Sequence, residues 1–151
     1  MQAGQIVATP GNVVDYAFIR RDVNNAAKIY DLRELAYDSW GAVKLAAELQ
    51  DDDGIQMVEF RQGWKSMSPA TKELLKLIKS GALAHGGHKV LRWCADNLVV
   101  KIDAAENVKP EKDKARERID GIVALIMALG RAMLAKQKPR SVYEDRGIVS
   151  L

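Results

Sequence analysis

Apolar residues recur at helical spacing, every three or four positions, in five segments of the chain. In the first segment Ile19 and Val23 share one side, whereas Arg20 lies off it. Ser68 followed by Pro69 is typical of a helix start, because serine is a favoured N-cap residue and proline suits the first helical position. The pattern predicts helices over residues 15–30, 40–50, 69–80, 90–95 and 113–136.

Shorter apolar runs bounded by turn residues predict strands. They lie at residues 5–8, 32–37, 55–60 and 97–103. Strands that alternate with helices are typical of an α/β fold, in which helices flank a central sheet. Residues 104–110 are predicted to form a turn around Asn107.

The last predicted helix is apolar on nearly all sides from Ile119 onward. Such a helix is expected to be buried. Four further side chains are predicted to join it in the core: Leu74, Leu75, Ile78 and Trp93. Residues 137–151 carry mixed charges and a proline, which predicts a tail. We therefore divide the chain into a domain of residues 1–136 and a C-terminal tail of residues 137–151.

The composition narrows the class of protein. With 151 residues the chain is long enough for one domain with a sizeable core, and 48% hydrophobic with 28% charged residues is ordinary for a soluble globular protein. The net charge of +3 is compatible with nucleic-acid binding but does not require it. The one cysteine, Cys94, excludes an internal disulfide framework and a four-thiolate zinc site. No apolar run is long enough to span a membrane, and the first residues lack the pattern of a secretory signal.

Asp38 directly follows the predicted strand 32–37 and precedes the helix predicted from Trp40. Ligands of open α/β sheets gather beyond the carboxyl ends of the strands, so an acid at this point is a candidate site residue. The alternative is that Asp38 only caps the following helix, because aspartate is a favoured N-cap residue.

Asp120 lies one position inside the apolar part of the last predicted helix, where ionised acids are rarely buried without a partner or a metal ion. The alternative is an acid stabilised by the helix dipole and by Arg116 or Arg118. Asp38 and Asp120 are 82 positions apart, so the sequence alone does not bring them together. If they share one edge of the sheet, their oxygens suit Mg²⁺ or Mn²⁺, and two such ions would serve phosphodiester hydrolysis.

Basic residues are concentrated before and at the start of the last predicted helix. Four of them would bind DNA phosphates: Lys109, Lys112, Arg116 and Arg118. Three other lysines form a stripe that we interpret as the exposed side of a helix: Lys72, Lys76 and Lys79.

Two other motifs could suggest metal sites. The run of aspartates at 51–53 lacks the spacing of an EF-hand loop, so a calcium site is not favoured. His85 and His88 lack a third ligand nearby, so a zinc site is not favoured either.

Seven short motifs occur along the chain: YDSWGA (37–42), QG (62–63), SMSPA (66–70), GALAHGG (81–87), LRW (91–93), NVKP (107–110) and RIDGIVA (118–124). Taken together and in this order, they resemble the C-terminal nuclease domain of the terminase large subunit of tailed bacteriophages. The resemblance covers residues 6–131. It implies an RNase H-like nuclease fold with a two-metal site for Mg²⁺ or Mn²⁺, which cuts concatemeric double-stranded DNA during genome packaging in the host bacterial cytoplasm. The partners implied are the portal and the small terminase subunit.

By this resemblance Asp38 matches the second acid of the family and Asp120 the third. Nothing in the chain matches the first acid, which lies on the opening strand of the nuclease sheet, and no Walker-type phosphate loop of a packaging ATPase is present. The chain is therefore interpreted as a fragment truncated at its N-terminus, with weak or no activity expected by itself. The opening strand lies beside strand 32–37 in such sheets, so we expect a free edge there and self-association through it.

Two further hypotheses come from other classes of protein. In the first, the same sheet is a non-catalytic module that binds DNA or packaging partners, and both acids have structural roles at helix ends. In the second, the chain is an unrelated α/β domain with a small-molecule pocket, although nothing in the sequence names a ligand.

Overall fold

Helices and short strands alternate along the chain in the computed structural model, which describes residues 6–137 and side chains through residue 135. The helices are α1 (Tyr16–Ile29), α2 (Val43–Asp51), α3 (Trp64–Lys79), α4 (Lys89–Asp96) and α5 (Asp120–Gln137). The strands are β1 (Leu35–Tyr37), β2 (Met57–Glu59), β3 (Val100–Ile102) and β4 (Val108–Pro110). A short 3₁₀ helix, Lys112–Lys114, precedes α5. The predicted tail lies outside the described residues except for Gln137, which ends α5.

The strands form two small sheets. β1 pairs with β2 in parallel, with Leu35 beside Met57 and Tyr37 beside Glu59, and β3 pairs with β4 in an antiparallel hairpin. Within residues 6–137, β2 is the one hydrogen-bonded neighbour of β1, so the other edge of β1 has no strand beside it. The predicted strand at residues 5–8 is wrong for residues 6–8, which are irregular and exposed and have no sheet to join.

The core lies between α3, α4 and α5. Its buried members are Phe60, Met67, Ala70, Leu74, Cys94, Ile119, Ile122, Val123, Ile126 and Met127. Helix α5 is therefore buried on the side that faces α3 and α4, whereas its alanines Ala124 and Ala128 are exposed. None of the helices within residues 6–137 has the length and apolar character needed to cross a bilayer.

Gly130 lets α5 approach β2 closely. A Cβ atom at this position would lie 3.0 Å from Cε2 of the Phe60 ring and 3.4 Å from Cβ of Ala70. Because Phe60 and Ala70 are both buried, neither side chain has free space to move into. Glycine at this position therefore fixes how closely the end of β2 and the two longest helices pack together.

Helix α3 begins earlier than the serine–proline pair predicts. It starts at Trp64, so that Pro69 lies inside the helix and not at its first position. Ser68 is buried, and its hydroxyl oxygen accepts a hydrogen bond from the backbone N–H of Val108 at 3.1 Å. The serine therefore attaches the β3–β4 hairpin to α3 instead of capping the helix.

Other predicted elements differ from the structure for tertiary reasons. Helix α5 begins at Asp120 and not at residue 113, because residues 113–118 are all charged except Ala115 and offer no apolar stripe to bury. Residues 108–110 form a strand and not a turn, because they pair with β3.

Two core predictions on the helices are wrong. Trp93 is 43% exposed, whereas the next residue, Cys94, is buried against Gly121, so Cys94 and not Trp93 faces the core from α4. Leu75 and Ile78 are exposed on α3, and Leu74 alone of that group is buried.

An ion pair attaches α1 to the end of α2. The Arg20 guanidinium donates to both carboxylate oxygens of Asp53, at 2.6 and 2.7 Å, and the Asn24 amide donates to the same carboxylate at 2.9 Å. These hydrogen bonds stabilise the ionised form and lower the pKa of Asp53 to about 2. The third residue of the aspartate run therefore joins two helices and is not merely a solvated turn residue.

We expect Asp53→Asn to destabilise the fold at pH 7 and to matter less in acid. Because the folded-state pKa of Asp53 is about 2, below its ordinary value of 3.8, its stabilising contribution is present above about pH 4 and is lost as the pH falls through about 2. Thermal unfolding followed by circular dichroism should show a gap between wild type and variant at pH 7 that narrows by pH 2.5. Asp22→Asn, on the exposed side of α1, removes the same charge and should produce no such gap.

Candidate functional site

Asp38 follows the last residue of β1 and closes a turn. Its Oδ1 accepts a hydrogen bond from the backbone N–H of Trp40 at 3.2 Å, and its side chain is half-buried. Helix α2 begins later, at Val43, and the residue at its N-cap position is Ala42, which makes no side-chain cap. The alternative that Asp38 caps this helix is therefore wrong, and the acid lies at the carboxyl end of a parallel strand as predicted.

Asp120 is the first residue of α5 and is exposed, directly after the buried Ile119. It is therefore not the buried acid that its apolar neighbours suggest. Among the described residues neither Arg116 nor Arg118 forms an ion pair with it. The positive end of the helix dipole favours a carboxylate at this position, and its exposed oxygens are open to a ligand.

The positions of these two acids depend on how α5 lies on β1. Arg131 of α5 donates to both carboxylate oxygens of Glu34, just before β1, at 2.6 and 2.9 Å. Nearer the start of the helix, Ala124 lines the same groove as Ala36 of β1. Helix α5 therefore runs antiparallel to β1.

The positions of the two acids follow from the periodicities of the two elements. Asp38 lies two residues beyond Ala36 on the same side of the strand, and Asp120 lies one helical turn before Ala124 on the same side of the helix. Asp38 is four residues after Glu34, which is about 13 Å along a strand. Asp120 is eleven residues before Arg131, which is about 16 Å along a helix. Both acids are therefore about equally far from that ion pair and in the same direction.

Three of the four predicted phosphate-binding residues lie on the segment that leads to Asp120. Lys112 belongs to the 3₁₀ helix, and Arg116 and Arg118 are exposed between that helix and α5. The fourth, Lys109, belongs to β4, where its ammonium lies 5.0 Å from the centre of the Trp64 ring. Their role in DNA binding stays a prediction, although an exposed basic segment before an exposed acid suits phosphate contact.

Within residues 6–137 no group of three or more His, Cys, Asp or Glu side chains is arranged to hold a metal ion. His85 and His88 each use Nδ1 to accept a nearby backbone N–H, from Gly87 and Leu91 respectively, both at 3.2 Å. The second of these bonds caps α4. The two histidines therefore have local structural roles.

Two features near Asp38 are absent from the sequence prediction. Glu59 ends β2 and accepts hydrogen bonds from the Ser39 hydroxyl and the Arg61 guanidinium, at 3.1 and 3.2 Å. The rule that selects Asp38 also selects Glu59, but the predicted strand 55–60 runs past it. Trp40 is the other feature: its side chain is 94% exposed, and apolar spacing gives no signal for such a residue.

Comparison with known proteins agrees with this arrangement of strand, turn and helix. Residues 2–136 match the family model described as the terminase large subunit, endonuclease domain. The chain belongs to this family.

The relatives support the same family. The terminase large subunit of Enterobacteria phage HK97 is 41% identical over 136 residues, which are 87% of this chain and 26% of that protein. Protein YmfN of Escherichia coli K12 is 39% identical over 155 aligned residues, which cover 100% of this chain and 34% of that protein. The chain thus spans about a quarter to a third of the length of these two relatives.

The fold of the terminase endonuclease family is confirmed by a solved structure. The crystal structure of the HK97 bacteriophage large terminase superposes with a TM-score of 0.76 and 42% sequence identity, over 85% of this chain and 27% of that one. The RNase H-like α/β class predicted from the sequence is therefore correct. Small sheets flanked by helices are the part of that fold that residues 6–137 contain.

We expect the Glu34–Arg131 pair to stabilise the fold measurably. Its side chains are only 22% and 27% exposed and form two charge-assisted hydrogen bonds, so Glu34→Gln or Arg131→Gln should each cost about 1–3 kcal/mol in the free energy of unfolding. Urea unfolding of both single variants and the double variant should give a coupling energy of about 1 kcal/mol or more. The same cycle on the more exposed Glu73–Lys76 pair should give less than about 0.5 kcal/mol. A coupling near zero for Glu34 and Arg131 would contradict the alignment of α5 on β1.

Proposed function

We propose that this chain is the metal-dependent endonuclease part of a phage terminase large subunit and that it cuts concatemeric double-stranded DNA during genome packaging. Asp38 and Asp120 hold the metal ion, and Lys109, Lys112, Arg116 and Arg118 bind the DNA backbone. The observation that supports this best is the antiparallel alignment of α5 on β1, from which we infer that both acids lie at one end of the same layer.

The donor atoms at these two positions fit a hard divalent cation. Carboxylate oxygens are the ligands that Mg²⁺ and Mn²⁺ prefer, and Mg²⁺ usually needs only one or two carboxylates besides water and substrate phosphates. When bound, a pair of such ions would activate the attacking water and stabilise the leaving oxygen of a phosphodiester. Asp38 supports this role because its Oδ2 makes no hydrogen bond within the described part of the chain, while Oδ1 is held by the Trp40 N–H.

A complete two-metal site needs a further acid. Residues 6–137 contain no third carboxylate grouped with Asp38 and Asp120, so we propose that the missing ligand comes from a segment outside these residues, in the same or another polypeptide. Weak cleavage by this chain alone is the consequence.

The proposal also covers the domain limits, the protein partners and the place of action. Residues 1–136 form a partial nuclease domain, and residues 137–151 are a C-terminal tail. The portal and the small terminase subunit are the proposed protein partners, and the host bacterial cytoplasm is the proposed place of action, because phage genomes are packaged there.

We expect the chain to nick supercoiled plasmid DNA in the presence of Mn²⁺ or Mg²⁺ and not in EDTA. Asp38→Asn or Asp120→Asn should reduce nicking by more than the roughly 10–100-fold that the loss of an outer-shell partner costs, because each removes a direct ligand. Asp96→Asn, an exposed acid at the end of α4, is the matched control and should nick like wild type.

Metal binding has its own readout, which does not depend on cleavage. Substoichiometric Mn²⁺ should broaden the NMR signals of Asp38 and Asp120 before those of Asp96. Nicking that persists in both Asn variants, or broadening that spares both acids, contradicts the site assignment.

A second candidate function is a non-catalytic module that binds DNA or packaging partners. It is favoured by the local roles of the acids, since Asp38 closes a turn and Asp120 begins a helix. The module should bind duplex DNA with an affinity that falls with salt and does not respond to Mg²⁺. Salt-dependent binding without nicking, together with unchanged NMR signals of both acids in Mn²⁺, would favour it over the nuclease.

We further propose that the free edge of β1 pairs with a strand of a second copy. Leu35 donates its N–H to Gln56, and the Tyr37 carbonyl accepts from Phe60, so the backbone N–H and C=O of Ala36 point away from β2. Beside this edge lies a groove of about 890 Å³ between β1 and the exposed alanines of α5. An unpaired edge next to open space suits the addition of a strand.

Sedimentation velocity should therefore show a dimer that grows with protein concentration. Ala36→Pro removes the outward N–H without removing a bond to β2, so it should shift the equilibrium to monomer. Ala36→Ser keeps the N–H and should still associate. A wild-type chain that remains monomeric at high concentration would rule out this use of the edge.

A further inference from the structure

The Trp40 side chain is exposed to solvent on the loop between β1 and α2. Its side chain is 94% exposed, more than any other large apolar residue of the described chain. Tryptophan is highly buried on average, because its indole has one of the largest apolar surfaces among side chains. The exposed ring therefore points to a partner that covers it.

The loop that carries Trp40 is fixed at several points. The Trp40 N–H is bound by Asp38, the Ser39 hydroxyl donates to Glu59 at 3.1 Å, and the Gly41 carbonyl accepts from the Tyr16 hydroxyl at 3.5 Å. Gly41 has a φ of +80°, a backbone conformation that would be strained for a residue with a side chain. The indole is thus presented from a braced turn and is not at the tip of a loose loop.

The position of the ring relates it to the acids. Trp40 follows Asp38 by two residues, and its backbone is hydrogen-bonded to that carboxylate. A DNA phosphate bound through a metal ion at Asp38 and Asp120 would bring sugars and bases to within the reach of an indole anchored this close. The arginines before Asp120 would bind the phosphates of the DNA backbone. The uncharged Trp40 ring would then contact the apolar surfaces of the sugars and bases.

We propose, resting on the endonuclease function proposed above, that the Trp40 indole packs against the bases and sugars of duplex DNA beside the phosphate to be cut. In a duplex the base faces are stacked, so the ring would insert as an apolar wedge beside a base step and partly unstack it. This contact tolerates any sequence because every base has an apolar face. Trp40 is on this account a positioning residue, which fixes the duplex relative to Asp38 without taking part in bond breaking.

The first test measures binding of a fluorescently labelled duplex by anisotropy across a range of salt concentrations. Trp40→Ala should weaken binding about tenfold, and the slope of log affinity against log salt should stay unchanged because no charge is lost. Arg116→Gln should instead reduce that slope by about one. Tyr30→Ala is the matched control, because Tyr30 is an exposed aromatic residue (69%) before the opposite end of β1 and should bind like wild type.

The second test observes the ring directly. The difference between the emission spectra of the wild type and of Trp40→Phe reports Trp40, and this difference should be quenched when duplex DNA is added. Binding by Trp40→Ala equal to that of wild type, with Trp40 emission unaffected by DNA, would overturn the inference. It would leave the proposed nuclease intact provided that the metal and Asp38 dependence of nicking hold. If the wild-type chain binds no DNA at any salt concentration, both proposals fail.

Discussion

Helix α5 is held against β1 by the bidentate pair between Glu34 and Arg131, and the candidate site follows from that alignment. The ion pair contributes about 1–3 kcal/mol, which is little beside the burial of the helix's apolar side. Its orientation is reinforced on the other side of the helix, where Gly130 admits the Phe60 ring and Ile126 lies fully buried. Hydrophobic packing therefore supplies most of the free energy that holds α5 against β1. The ion pair selects the direction of the helix along the strand and the residues at which the two elements meet.

Much of the fold is readable from the chain because its signals are local. Asp15 caps α1, and that helix ends within one residue of its predicted limit. The parallel strands β1 and β2 lie within the predicted segments, and Asp38 follows its strand because the strand run and the glycine turn are adjacent in sequence. The family likeness adds the fold class, which the short strands would not have given by themselves.

The errors have a common cause in tertiary contact. Ser68 and Pro69 have the local chemistry of a helix start, but burial of Met67 and Ala70 against α5 extends the helix through them. The strand β4 exists because it pairs with β3 and is tied to Ser68, neither of which local spacing can show. The position of Asp38 relative to Asp120 belongs to the same class of information, since it depends on how α5 is oriented on β1.

The local roles of the two acids do not compete with metal binding. The turn at Asp38 occupies Oδ1 and thereby fixes the carboxylate, which lowers the entropy lost when Oδ2 takes a ligand. Asp120 is exposed at a helix start, so a metal ion would displace water from it and would not have to expel a protein partner. The helix dipole stabilises the negative charge at Asp120 but also repels a cation, so the proposed site needs a second carboxylate to offset that repulsion. A pair of acids drawn from two elements is for this reason better suited to a divalent ion than either acid at its own helix or strand end.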